Sequence, residues 1–294
     1  MRSYLMNELY ACDPVAIKSS SELKMLLSHF NPFVGRYVIE CPYYDNWRKM
    51  VIDQFSQSGE LEKKRVSYLI HKAKEKSTFY RPKSAHWNDS KVWLENALSN
   101  EIPLSRIVTE DGTQETTGIF DLNLPSTAGE RILGNLQEFA RVTEVLLHMS
   151  QEVYFIDPYL YFDKTNVKLV VEKLVEILSS SKCKKATFIC HVPKDSKSVD
   201  EVKKSAEYFL RKLRRDYQAI TFKYLMLNDA ASHIKMHKRY LLSIKGAVEL
   251  DKGFQLETNK GSRVEVNPVN ETIHDELIKI YHEMQHEMKI EFEF

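Results

Sequence analysis

The chain has 294 residues with 42 Lys and Arg against 41 Asp and Glu, a formal charge of +1. That balance excludes a globally basic polyanion binder, so any affinity for nucleic acid has to come from local patches. With 43% hydrophobic and 28% charged residues, the composition excludes a disordered chain and suits one large domain or two of ordinary size.

In chain order, SSSELKMLLSHF opens with serines suited to an N-cap and continues with apolar residues at helical spacing. YYDNWRKMVIDQFSQSG predicts a second helix with Trp47, Met50, Val51 and Phe55 on one face and a glycine stop. ELEKKRVSYLIHKAKEK predicts a basic helix, and HWNDSKVWLENALSNE a fourth in which Val92, Leu94 and Leu98 could pack. PLSRIV reads as a short strand, and TEDGTQETTGIFDL as a turn between strands.

From about residue 126 the rhythm changes to alternating helices and strands. AGERILGNLQEFARVTEVLLHMS reads as one long amphipathic helix leading into the strand EVYFIDPYL, which Pro158 breaks. Then follow the helix NVKLVVEKLVEILSSS, the strand KATFICHV, the helix SVDEVKKSAEYFLRKLRRDY and the strand AITFKYLML. A strand is expected near 238–244 with a partner near 247–250, then the strand SRVEV, the helix ETIHDELIKIYHEMQHEM and an extended tail, KIEFEF. The expected fold class is α/β, a mixed sheet flanked by helices over 126–294, preceded by a smaller, mostly helical α+β domain over 1–125. No fixed-period repeat argues for a solenoid.

No apolar run approaches a membrane span, and Asn7 and Glu8 interrupt the apolar opening that a leader would need. Cys12, Cys41, Cys183 and Cys190 lack CxxC spacing, so neither a zinc site nor a disulfide framework is expected. The expectation is a soluble, cytoplasmic protein with no cofactor and no resident metal.

Four groups of residues could carry chemistry. The first is HIKMHKRYLLSIKGAVELDKGFQ, residues 233–255. On a strand, His233, Lys235, His237 and Arg239 share a face. Cations set side by side in this way invite an anion, although a solvated basic edge strand would look the same. Imidazole can act as nucleophile or general acid on a phosphodiester, and guanidinium grips phosphate oxygens bidentately.

The second is Asp157-Pro158-Tyr159. Proline at the carboxyl end of a strand stops pairing where α/β sheets bind ligands, and Asp157 could orient His237 or Arg239, or simply pin the turn. The third is basic and aromatic interleaving suited to nucleic-acid contact, with Arg65, Lys72, Lys74 and Arg81 in the first part and Arg214 and Arg215 in RKLRRDY. Solvated charged faces have the same composition. The fourth is the string HEMQH at 282–286, formally the H-E-x-x-H of zinc peptidases, at the end of a predicted terminal helix with no further helix to complete a cleft.

HKRYLLSIKGAVELDKGF resembles the signature strand–turn–strand of the phospholipase D-like superfamily, and VYFIDPYL resembles an early core strand of several of its members. The family motif is H-x-K, four residues, D, then six residues before a Gly-Ser pair. His237 matches the histidine and Arg239 stands for the lysine, while Ile244 occupies the aspartate position and Gly253-Phe254 the Gly-Ser pair, displaced by two residues. His233-Ile234-Lys235 is a second register, with Tyr240 where the aspartate would fall.

The resemblance covers roughly Gly129 to Glu287. It implies His237 and Arg239 as catalytic groups; the reading of the neighbouring residues adds Asp157 to them and places Lys235, His233 and Lys238 on phosphate. Active members combine two motif copies in one site, one histidine attacking phosphorus and the other protonating the leaving group. One copy per chain therefore implies a homodimer, or a subunit of a larger complex. The reading that follows is a degenerate family member binding nucleic acid or a protein partner, an accessory or effector subunit of a bacterial nucleic-acid-processing or phage-defence system. The alternatives are a metal-independent phosphodiesterase in a homodimer, with His237 as nucleophile, and, more remotely, a zinc peptidase.

Overall fold

A computed structural model describes residues 6–82, 85–99, 104, 106–122, 124, 129–193, 199–228, 236–257, 259, 261–283 and 289–294. The chain divides into two compact units, Met1–Ala128 and Gly129–Phe294.

The first unit contains β1 (Glu8–Cys12), α1 (Ser20–Ser28), β2 (Arg36–Ile39), α2 (Tyr44–Gln54), α3 (Glu60–Glu75), β3 (Phe79–Tyr80), α4 (Trp93–Ser99), β4 (Arg106–Thr109) and β5 (Thr117–Gly118). The strands form a parallel sheet in the order β3-β2-β1-β4-β5. This unit holds more sheet than its sequence suggests. β1 and β2 are short and almost wholly buried, so they lack the polar–apolar alternation that marks a half-exposed strand.

Ser19 caps α1 by accepting from the Glu22 amide, and Trp47, Val51 and Phe55 of α2 enter the core as their spacing predicts. α4 turns a different face inward: Trp93 and Ala97 are buried, while Val92 and Leu98 are exposed. The Trp93 indole N–H fixes that choice by donating to the Cys41 carbonyl at 3.0 Å.

The second unit contains β6 (Glu130–Leu133), α5 (Leu136–Met149), β7 (Glu152–Ile156), α6 (Thr165–Ser179), β8 (Lys185–His191), α7 (Val199–Asp216), β9 (Thr221–Leu227), β10 (Tyr240–Ser243), β11 (Gly246–Leu250), β12 (Arg263–Pro268), α8 (Glu271–Ile278) and β13 (Ile290–Glu293). Its eight-stranded sheet runs β13-β9-β8-β7-β10-β11-β12-β6. β7, β8 and β9 are parallel, whereas β10, β11, β12 and β6 form an antiparallel succession and β13 pairs antiparallel with β9. The α/β class with a mixed sheet flanked by helices is therefore present.

Two expectations are corrected here. The single helix expected over 128–150 is instead a strand followed by a helix. Asn135 accepts from the Glu138 amide at 2.9 Å as an N-cap, and a Cβ on Gly134 would lie 2.4 Å from Glu257 Cγ, so the chain breaks at Gly134-Asn135. The ERIL segment before that break pairs with β12. At the other end, α8 passes into a π-helical turn over Lys279–Glu283, and the tail expected to be merely extended is β13, on the edge of the sheet.

Alternation places Tyr154, Ile156, Ile189, Leu225, Leu227, Tyr240 and Leu242 together in a core with Leu277 and Tyr281. Intervening positions pack an aromatic layer, with Phe155–Phe188 at 4.9 Å and Phe162–Phe209 at 4.5 Å between ring centroids. β7 ends at Ile156, opposite Ile189 and two residues short of the end of β8, and the chain entering β10 passes that same edge.

Candidate phosphate site at the carboxyl edge of the sheet

β10 pairs antiparallel with β7 in the register Tyr240↔Ile156. The residues before Tyr240 therefore run past the end of β7, and Arg239 comes beside Asp157. The Arg239 Nε lies 3.8 Å from Asp157 Oδ1, its Nη1 donates to the Asp251 carbonyl at 2.9 Å, and its guanidinium sits 5.7 Å from the centroid of Tyr159.

Asp157 is buried, and both its oxygens are engaged: Oδ1 accepts from the Tyr159 amide at 2.8 Å and Oδ2 from the Phe254 amide at 3.3 Å. Burial pushes its pKa above the usual carboxylate value, against the opposing pull of those two N–H groups, Arg239 and Lys164. Gly253 has φ +76°, and a Cβ there would meet Asp157 Oδ2 at 2.0 Å. The glycine lets the turn after β11 close onto the carboxylate.

The structure thus joins Asp157 to Arg239. His237 is exposed at the same edge, and no hydrogen bond or ion pair links it to either among the described residues. Lys238 is exposed and pairs with Glu249 across the hairpin at 2.9 Å. His233 and Lys235 lie outside the described residues.

Two positions read from the motif bring no polar side chain to this edge. Ile244 occupies the turn between β10 and β11, seven positions from His237 and at the far end of the strand. Phe254 is buried against Phe155, 5.3 Å between centroids. The residue that sequence reasoning missed is Asp251, which meets Arg239 through its carbonyl; Tyr159 is read there as part of Asp157-Pro158-Tyr159, with no role for its ring. Only the Gly in LDKGF hinted at the Asp251 contact.

The six cations read as nucleic-acid contacts fall in both units. Arg65 and Lys72 are exposed on α3, with Arg65 4.0 Å from Glu62 and Lys72 5.9 Å from the Tyr68 ring centroid. Lys74 lies 3.7 Å from the centroid of Tyr44. Arg81, just after β3, braces the connection between β2 and α2, donating to the Pro42 carbonyl at 2.7 Å with its guanidinium 3.7 Å from the Tyr43 ring centroid. Arg214 donates to the Phe222 carbonyl at 2.9 Å and lies 4.5 Å from the Phe294 ring centroid. Arg215 is exposed beside Asp216 at 2.9 Å.

His282, first residue of the H-E-x-x-H string, has its Nδ1 2.7 Å from the Tyr154 hydroxyl, which in turn contacts Glu152 at 2.6 Å. His286 lies outside the described residues. Among those that are described, no three His, Cys, Asp or Glu side chains are grouped to hold a metal. All four cysteines are buried thiols, and no described helix is long and apolar enough to cross a membrane.

No protein-family model matches the chain, and no curated protein does. Solved structures similar to it include NucT from Helicobacter pylori, with 11% identity, a TM-score of 0.35 and coverage of 55% of this chain and 98% of that one. TrmBL2, an archaeal chromatin protein described as having a novel mode of DNA binding, gives 10% identity, a TM-score of 0.31, and 57% and 56% coverage. Polyphosphate kinase from Porphyromonas gingivalis gives 12%, 0.32, and 54% and 26%. The chain spans 56% of the archaeal protein and 26% of the kinase, and likeness at this level decides nothing about activity.

Proposed function

We propose that the second unit is a phospholipase D-like domain that binds the phosphodiester backbone of nucleic acid without cleaving it, as a subunit of a larger nucleic-acid-processing assembly. One observation carries this reading. The cation that the family motif sets on the scissile phosphate, Arg239, is committed to Asp157 and to the Asp251 carbonyl. It holds two turns together, and the Nε and Nη1 groups that make those contacts are withdrawn from phosphate oxygens. His237 and Lys238 remain exposed at the edge and can meet phosphate oxygens without chemistry.

The test is to incubate the full chain in EDTA with labelled single- and double-stranded DNA and RNA, following anisotropy and integrity together. The expected result is binding without cleavage, weakened by His237→Ala combined with Lys238→Ala. The salt slope should fall by about 0.7 to 0.9 for each phosphate that the double variant leaves unneutralised. EDTA-resistant cleavage abolished by His237→Ala would overturn the reading. It would favour a homodimeric phosphodiesterase in which each partner supplies one histidine.

A further inference from the structure

α6 and α7 lie side by side and leave between them an open groove of about 800 Å³, away from the Asp157–Arg239 pair. One wall presents Thr165, Lys168, Leu169 and Glu172 of α6, the other Tyr208, Arg211 and Arg215 of α7. These are helical spacings of three, four and seven, so each set forms a single continuous face.

Tyr208 is 77% exposed, the most exposed large hydrophobic residue described. The cations beside it outnumber the acids. Lys212 is tied to Glu172 at 2.5 Å, which neutralises the acidic group of the groove. Lys168 has no acidic partner among the described residues. Arg211 has Glu207 at 3.6 Å and Arg215 has Asp216 at 2.9 Å, but both guanidinium side chains are more than 70% exposed. Exposed pairs of that kind contribute little and exchange readily for another anion. Arg211 also reaches toward the Phe294 ring, 5.9 Å from its centroid.

We infer that this groove is a track for single-stranded nucleic acid, an inference that rests on the nucleic-acid reading of the domain above. An exposed ring flanked by cations takes an unpaired base on its face and the adjoining phosphates on the cations. A duplex has no free base face to offer such a ring. Tyr208 to Arg215 spans about 10 Å of helix axis, so the ring and the cations on its face can meet adjoining nucleotides of one strand. α6 begins at the carboxyl edge of the sheet, where Lys164, its N-cap, is close enough to favour the ionised form of Asp157. A strand in the groove would therefore lead toward the His237 edge.

The experiment measures anisotropy of a labelled oligothymidylate of about ten nucleotides with the full chain across a salt series, with a duplex of equal length as competitor. Tyr208→Ala is expected to weaken single-strand binding about 10-fold, while Tyr208→Phe retains it. Arg211→Ala with Arg215→Ala is expected to lower the salt slope by about 1.4, from about 0.7 per phosphate. These side chains are exposed, and circular dichroism checks that each variant stays folded.

If the wild type binds and these variants bind equally well with unchanged slope, the groove inference fails while the domain reading stands. The same holds if only the His237 and Lys238 substitutions weaken binding. A wild type that prefers the duplex also overturns the inference. One that binds no nucleic acid removes the domain reading as well and leaves the groove to a protein partner.

Discussion

Gly253 shows how one residue can serve a site without touching a ligand. Its φ of +76° is a conformation that side chains rarely adopt, and a Cβ would stand 2.0 Å from Asp157 Oδ2. Asp157 cannot step aside, because its two oxygens hold the amides of Tyr159 and Phe254. Gly261 has a similar φ, +88°, with nothing within 4 Å of the added carbon. Gly261→Ala therefore isolates backbone strain, at about 1 kcal/mol. Gly253→Ala should cost about 2 to 4 kcal/mol, adding the disturbed buried carboxylate and its hydrogen bonds. Urea unfolding of both variants checks this, and equal costs would mean that the close approach of Asp157 to Gly253 contributes nothing. At this scale the sequence was half legible. Asp157, His237 and Arg239 stood out by residue type. The Asp251 carbonyl could not, since every residue has one, and Phe254 read as a missing polar group because its burial depends on Phe155, about a hundred residues away in sequence.

The β10–β11 hairpin makes the same point for an element. Its two-residue connection, Ile244-Lys245, is pinned from both sides: the Lys245 amide donates to the Ser243 hydroxyl at 3.0 Å, and His274 of α8 has Nε2 2.8 Å from the Ser243 carbonyl. Ile244 is 60% exposed there, about 20 Å along the chain from His237 at the rise of a strand. Placing an acidic residue at the motif's aspartate position with Ile244→Asp should change stability by no more than about 0.5 kcal/mol, and should produce no cleavage. EDTA-resistant cleavage by that variant would show instead that Ile244 stands where the missing catalytic group belongs. Elements with strong periodicity, such as α6, α7, β8 and β9, could be read directly. β6 was hidden because ERIL runs into a helical pattern, and only the pairing with β12 distinguishes it. β1 to β3 were hidden because they are short, buried and bounded by no glycine-rich turn.

At the scale of the molecule, each unit has a core of its own. The clusters around Trp47 and Trp93 draw only on residues of the first unit, and the cluster around Tyr154 and Leu277 only on residues of the second. Cores that share no side chain among the described residues can lose cooperativity with one another. The placement of tryptophan makes this measurable, because Trp47, Trp87 and Trp93 all lie in the first unit. Intrinsic tryptophan fluorescence therefore follows the first unit alone, while far-ultraviolet circular dichroism follows both. Trp47 is 1% exposed, and its indole N–H donates to the Cys12 carbonyl at 2.7 Å, tying α2 to the end of β1. Trp47→Ala should cost the first unit about 3 to 5 kcal/mol. In a urea titration, the remaining fluorescence from Trp87 and Trp93 should then change at much lower denaturant. The dichroism should split, its later step keeping the wild-type midpoint of the second unit. Fluorescence and dichroism moving down together, with no later step, would show that the two units unfold as one, and that substitutions in the first unit cannot be read apart from the candidate site in the second.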